Sequence, residues 1–239
     1  WSPSSNKETY AQDKQLIYNF FQTAKAAAFD RTEPVVELRI QAMKACFKGT
    51  KRVYIHAESI QQIVDIIDFA QAFALPFPVI VGGDEAHLVG PKLKDSKIPV
   101  MLNRIHSLPR HEDDLTYQPF RLPALLKAQG ILFCLQNDGD MQAMNTRNLP
   151  FQAGTTMAYG LSEEEALQTV SLNVCKIMGI DQDYGTLAAG KKATFFVSKG
   201  PALEMKTNAV SLILINGKLC PTTNFQEELY HKYQDKYKQ

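Results

Sequence analysis

The stretch ILFCLQNDGDMQAMNTRNLPF, residues 131–151, decides how the chain is read. It opens with an apolar run, residues 131–135, that shows no polar alternation. Such a run suits a strand covered on both faces, as in a parallel sheet. The run stops at Gln136-Asn137-Asp138-Gly139-Asp140, which is polar and carries two carboxylates. Chemistry in parallel α/β proteins gathers at the C-terminal ends of strands. Acids at that place need partners, so the reading turns to what surrounds them. Asn-Asp-Gly-Asp also spells a turn, and the residues alone leave that alternative open.

Upstream, the same grammar repeats. RVYIHA (52–57) is a short β-branched and aromatic run, and SIQQIVDIIDFAQAFAL sets Ile60, Ile63, Val64, Ile67 and Ala70 on one helical face. FPVIVGG reads as a strand and DEAHLVGPKLKDS as a helix. IPVMLN is a strand, followed by a long polar loop at 104–118, a helix in PFRLPALLKAQG and the strand ILFCLQ. Strands alternating with helices at short spacing make parallel βα units. Four such units begin near Val53, Pro78, Pro99 and Ile131. Their C-terminal ends carry His56, Gly82-Gly83-Asp84, Asn103 with His106, and the Asn137–Asp140 turn. Two further helices precede them, over residues 6–29 and 33–47, the second stopped by Gly49.

Downstream, SEEEALQTVSLNVCKIMGI reads as one helix, with Ser162 as N-cap and Glu165 three residues on, the capping-box spacing. From Tyr184 the pattern changes. Gly185 and Gly190 are turn residues, residues 193–198 form a strand, and AVSLILINGKLC is a hairpin turning at Asn216-Gly217. Residues 225–237 read as a solvated terminal helix whose charges interleave with tyrosines. The domain boundaries expected are therefore 1–183 for the βα unit array, 184–221 for the β strands and 222–239 for the last helix.

With 239 residues and 45% hydrophobic content, the chain can bury a real core. A formal net charge of +1 and the lack of a long basic run speak against nucleic acid or an anionic membrane as partner. Four cysteines stand singly, with no CxxC pair, and read as buried free thiols. No run is long enough to span a membrane and no signal peptide is visible. The chain starts at Trp1, which reads as a processed or excised piece, so periplasmic and cytoplasmic locations both stay open.

The segment NLPFQAGTTMAYGLSEEEALQTVSLNVCKIMGIDQDYGTLAAGKKATFFV (148–197) resembles the C-terminal region of the amidohydrolase superfamily, in particular its imidazolonepropionase-like members. The turn GTLAAGKKATFFV is similar to the family's G-x-L-x-x-G-x-x-A-D-L-V element, with Thr194 where an acid is usual. VYIHAES resembles the family's fifth barrel strand, VIVGGDEAHLV the sixth, IPVMLN the seventh and ILFCLQND the eighth. The resemblance runs from about Arg52 to about Cys220. It implies an α/β fold: the C-terminal half of a metal-dependent-hydrolase-type (β/α)8 barrel with a small β appendage.

The resemblance also implies chemistry. His56 matches the fifth-strand metal ligand, and Asp138 matches the eighth-strand aspartate that binds the metal and moves the proton of its water. Asp140 is the fallback if the register shifts by two. The implied cofactor is a divalent metal, zinc by expectation, in the full-length protein. His106 and Arg147 are weaker candidates for substrate contact, Arg147 as a fork on a carboxylate; local satisfaction and a surface ion pair are the plain alternatives. His87 reads as structural.

Two departures qualify the match. The five histidines are isolated, with no His-x-His, and no counterpart of strands one to four is present. Gly82-Gly83 stands where a sixth-strand histidine is expected. The expectation is therefore a C-terminal portion of an enzyme hydrolysing a non-peptide C–N bond, such as a cyclic amide, and inactive alone. The rival is a non-catalytic binding or scaffold protein with a degenerate metal site. Expected partners are a small-molecule substrate and either further copies of the chain or a missing N-terminal half.

Overall fold

The computed structural model describes residues 7–29, 37–137 and 142–238. Two helices come first, α1 (Lys7–Phe29) and α2 (Leu38–Phe47). The βα units follow: β1 (Val53–Ala57), α3 (Ile60–Phe73), β2 (Pro78–Gly82), α4 (Gly90–Ser96), β3 (Val100–Leu102), α5 (Gln118–Ala128) and β4 (Phe133–Leu135). The four strands form one parallel sheet in sequential order β1-β2-β3-β4.

The register sorts the side chains into two faces. Ile55, Ile80, Val100 and Phe133 lie in one cross-strand row and pack into the main core with α3 and α5. His56, Val81, Met101 and Cys134 form the next row, on the opposite face because side chains alternate along a strand. Among the described residues, β1 and β4 are the two edges of this sheet.

The helices form for local reasons. Ser59 caps α3 in a full capping box with Gln62, its apolar stripe buries Ile63, Ile66, Ile67 and Ala70, and Ala74 ends it in the left-handed conformation. Tyr18 and Phe21 of α1 meet Phe69 and Phe73 of α3 edge-on or tilted, with ring centroids 4.8–5.6 Å apart. Asp65, only 6% exposed, ties the two helices. It accepts from Tyr10 Oη at 2.8 Å, Lys14 Nζ at 2.7 Å and Gln61 Nε2 at 3.2 Å. Those three donors, Lys14 above all, hold its pKa below the usual carboxylate value against the opposing effect of burial.

After β4 come α6 (Gln142–Asn145), a 3₁₀ turn at Thr146–Asn148 and α7 (Leu149–Met157). The single helix expected over 162–180 is in fact two, α8 (Glu163–Thr169) and α9 (Leu172–Met178). The Ser162–Glu165 capping box is present as expected. The break has a cause in the hydroxyls: Thr169 Oγ1 donates to Ala166 O and Ser171 Oγ to Leu167 O, both at 2.7 Å. Flanking the β-branched Val170, they compete with the helical ladder. The change of direction brings Val174 and Ile177 of α9 onto the second sheet face, against Val79, Met101 and Cys134. The helix expected over 84–96 likewise begins as a 3₁₀ turn, Ala86–Val89, before Gly90-Pro91 starts α4.

The C-terminal strands are β5 (Phe195–Ser198), β6 (Val210–Ile215) and β7 (Lys218–Cys220), one antiparallel sheet separate from the first. Asn216 and Gly217 turn the β6–β7 hairpin with φ of 49° and 78°, the primed geometry that Asn-Gly favours. The loop before β6 plugs Leu203 into the main core, and its carbonyl stands where a Cβ on Gly154 would be, 2.2 Å away. Gly154 thus lets the small sheet sit close to α7. The last helix, α10 (Phe225–Tyr237), buries none of its residues. Cys134 and Cys175 are buried free thiols and Cys46 and Cys220 are half-buried ones. No described helix is long and apolar enough to cross a membrane.

Candidate active site at the strand ends

All four parallel strands end on one side, and the polar residues of the candidate site stand there. His56 is exposed on the second face of β1. Glu58 follows two residues on, past the strand end, where the hydrogen bonds Gly83 N to Ala57 O (2.7 Å) and Glu85 N to Glu58 O (3.0 Å) continue toward β2. Its Oε1 accepts from Asn103 Nδ2 at 2.8 Å, and Asn103 Oδ1 accepts from Gln136 Nε2 at 2.7 Å. These bonds link the ends of β1, β3 and β4 in one directed chain, Gln136 to Asn103 to Glu58. Beside it, Gln152 of α7 donates to Asn137 Oδ1 at 3.0 Å and accepts from Ile105 N at 3.1 Å, and Asn137 donates to Asn145 O at 3.1 Å.

The glycines at the end of β2 have a definite use. Gly82 has φ +107°, and a Cβ there would lie 2.5 Å from Glu58 Oε1 and 2.7 Å from Oε2. The Glu58 carboxylate occupies the space that a sixth-strand side chain would fill. Glu58 Oε2 is buried and has no hydrogen-bond partner among the described residues. Burial, and after it the charge of Asp84, pushes Glu58 up to about 7; burial also raises Asp84, against the pull of Arg110. Two carboxyl groups held this close favour the neutral form of one of them.

His56 is the penultimate residue of β1. Asp138 and Asp140 lie outside the described residues. His106 accepts or donates through Nε2 at 2.8 Å from Thr155 Oγ1. Since that hydroxyl donates to Phe151 O at 3.0 Å, Nε2 carries the proton. The ring also meets Phe120 edge-on, and burial lowers its pKa. Arg147 is exposed on the 3₁₀ turn before α7. His87 is half-buried: Gln118 Nε2 donates to its Nε2 at 3.0 Å, and its backbone carbonyl accepts from Gln129.

The barrel-type sheet, its polar strand ends and the separate small sheet have a counterpart among known families. The model of the amidohydrolase family matches residues 35–220. The chain belongs to the amidohydrolase family. Comparison with curated proteins gives no match. Among solved structures, the chain is similar to an amidohydrolase from Thermotoga maritima MSB8, with a TM-score of 0.73 and 25% identity over 92% of this chain and 57% of that one. It is also similar in fold to a Xanthomonas campestris adenosine deaminase with bound zinc (TM-score 0.53, 15% identity, 82% of this chain, 52% of that). An E. coli guanine deaminase gives a TM-score of 0.52 at 15% identity, over 82% of this chain and 54% of that one. The chain spans little more than half the length of each of these three structures. Its fold is accordingly α/β, part of a (β/α)8-type barrel with a small β appendage.

The family implies a metal, and the donor set can be tested against one. A catalytic zinc takes about three protein ligands and a water. Among the described residues no three of His, Cys, Asp and Glu converge to hold a metal ion. Glu58, the carboxylate nearest in sequence to His56, is bonded to Asn103, and the end of β2 offers a glycine. The described residues therefore do not fit a complete metal centre. The residues that sequence reasoning missed are Glu58 and the amides Gln136 and Gln152. A signal for Glu58 existed: it stands two residues after His56, on the same side of the chain by strand alternation.

Proposed function

We propose that this chain is the C-terminal portion of an amidohydrolase that cleaves a non-peptide C–N bond, as in a cyclic amide, once its barrel is complete. The observation that carries the reading is the four-stranded parallel sheet with His56 and the polar row Glu58, Asn103 and Gln136 at one end, beside an unpaired β1 edge. In this reading His56 and Asp138 are two ligands of a divalent metal, zinc, and the remaining ligands come from strands that close the barrel between the β1 and β4 edges. The imidazolonepropionase-like subgroup is part of the proposal and rests on the turn over residues 185–197. So do the domain limits at 183 and 221, and the roles of His106 and Arg147 as substrate contacts.

The open β1 and β4 edges call for a partner, since an unpaired apolar edge strand pairs with another chain unless covered. The partner in this proposal is the N-terminal half of the barrel or a second copy of the chain. Alone, the chain is inactive. A panel of cyclic amides tests this: the chain by itself gives no hydrolysis above background, and the completed protein gives metal-dependent hydrolysis that Asp138→Asn abolishes. Metal-dependent turnover by the isolated chain overturns the reading.

One observation favours a second reading, a non-catalytic binding module on the same fold. Gly82 accommodates the Glu58 carboxylate in the space where a sixth-strand ligand belongs. Completed protein that folds, binds small amides and turns none of them over would select this reading.

A further inference from the structure

The loop joining β3 to α5, residues 103–117, encloses a cleft of about 430 Å³ together with the start of α3 and the turn after β2. That is within the usual size of small-molecule sites, roughly 300–1,000 Å³. The loop is pinned at both ends. Ile105 is 2% exposed and donates to Gln152, while His111 Nε2 pairs with Glu85 Oε1 at 2.8 Å. Four apolar side chains that line the cleft stay exposed: Ile60, Leu88, Leu108 and Leu115. Monomeric surfaces seldom gather so many at one place without a use.

The charged groups around the cleft are unevenly satisfied. Glu85 already accepts from Ile60 N at 2.8 Å and from His111, and Asp114 Oδ2 accepts from His111 N at 3.1 Å. Asp84 and Asp113 also line the cleft. Arg110 is different. Its Nη1 lies 3.8 Å from Asp84 Oδ2 and its Nε 3.6 Å from Glu85 Oε1, both beyond hydrogen-bond length. Among the described residues, the guanidinium groups of Arg110 and of Arg104, which lines the same cleft, donate no hydrogen bond. A guanidinium has five donors in a planar fork matched to a carboxylate.

We propose that this cleft binds a small carboxylate with an apolar body, the carboxylate on the Arg110 fork and the body against Leu88, Leu115 and Ile60. The anion adds the short, charge-assisted bonds that the two long ion pairs leave unmade. The apolar body covers side chains that now meet water. The cleft shares Asn103 with the strand-end row, but neither His56 nor Glu58 lines it and it requires no metal, so the proposal holds whether or not the completed barrel is catalytic.

Titration of the chain with sodium hexanoate, followed by calorimetry and ligand-observed NMR, tests the proposal. Hexanamide serves as the neutral probe of the same shape. Saturable hexanoate binding is expected, with hexanamide at least about 10-fold weaker. Arg110→Gln should weaken hexanoate by about 10- to 100-fold, the usual worth of a charged hydrogen-bond pair. It should leave hexanamide unchanged. Leu88→Ala should weaken both probes, and His56→Ala neither. If Arg110→Gln does not fold, the hexanoate-to-hexanamide ratio on the parent chain decides. Equal binding of the two probes, no saturation by about 50 mM hexanoate, or full affinity in a folded Arg110→Gln variant would overturn it.

Discussion

Replacing Glu58 with glutamine keeps the shape of the side chain and removes one charge from the strand-end row. An ordinary glutamate titrates at 4.5 and Glu58 at about 7, because it is largely buried and stands beside Asp84. Between those two values the folded chain keeps a proton that the unfolded chain has lost. Unfolding therefore releases a proton, and stability falls as pH rises through that window. At about 1.4 kcal/mol per pH unit the full interval corresponds to ~3 kcal/mol. Part of the group faces solvent, and screening lowers the figure to about 2 kcal/mol. At pH 5 the parent carboxyl is protonated, so Glu58→Gln should change stability by less than ~0.5 kcal/mol. At pH 8 the variant should be the more stable by about 2 kcal/mol. Urea unfolding of both proteins at pH 5 and pH 8 measures this, and the difference between them cancels the titrating groups that do not face Glu58, Asp84 being the neighbour that does. An equal change at both pH values, or a variant less stable than the parent at pH 8, refutes the argument that Glu58 carries a buried charge.

Lys14→Met should cost about 3 kcal/mol in thermal or urea unfolding, because it leaves the Asp65 carboxylate buried with only Tyr10 and Gln61 to bond it. Acid should narrow the gap between Lys14→Met and the parent, since the folded pKa of Asp65 is depressed and its stabilisation disappears as pH falls through it. Gly82→Ala should cost ~3–5 kcal/mol, from the left-handed backbone and from displacing Glu58 off Asn103. The double variant Gly82→Ala, Glu58→Ala should recover part of that loss, and strict additivity in the double-mutant cycle would count against the contact.

The βα order was legible because each strand is a β-branched or apolar run closed by a polar turn, as in VYIHA and PVIVG, and each helix carries an apolar stripe. The Asn216-Gly217 hairpin and the Ser162–Glu165 box were legible because each depends on a few adjacent residues. The split at residues 169–171 was not. The apolar period runs through it, and the Thr169 and Ser171 hydroxyls that loosen the ladder there act together with the tertiary fit of Val174 and Ile177 onto the sheet. Gly82 could be read as a missing ligand but not as room for a neighbour, since that requires the β1–β2 register. The amides Gln136 and Gln152 went unread for a similar reason: their partners Asn103 and Asn137 lie 33 and 15 residues away in the chain.

The central claim is that this chain carries one side of a metal site and not the whole. Zinc bound per chain, measured by elemental analysis after loading with excess zinc and exhaustive dialysis, tests it most directly. The account predicts far less than one zinc per chain, with no further change in His56→Ala, because among the described residues too few ligands converge to hold an ion. One tightly held zinc per chain, lost on His56→Ala, would contradict it.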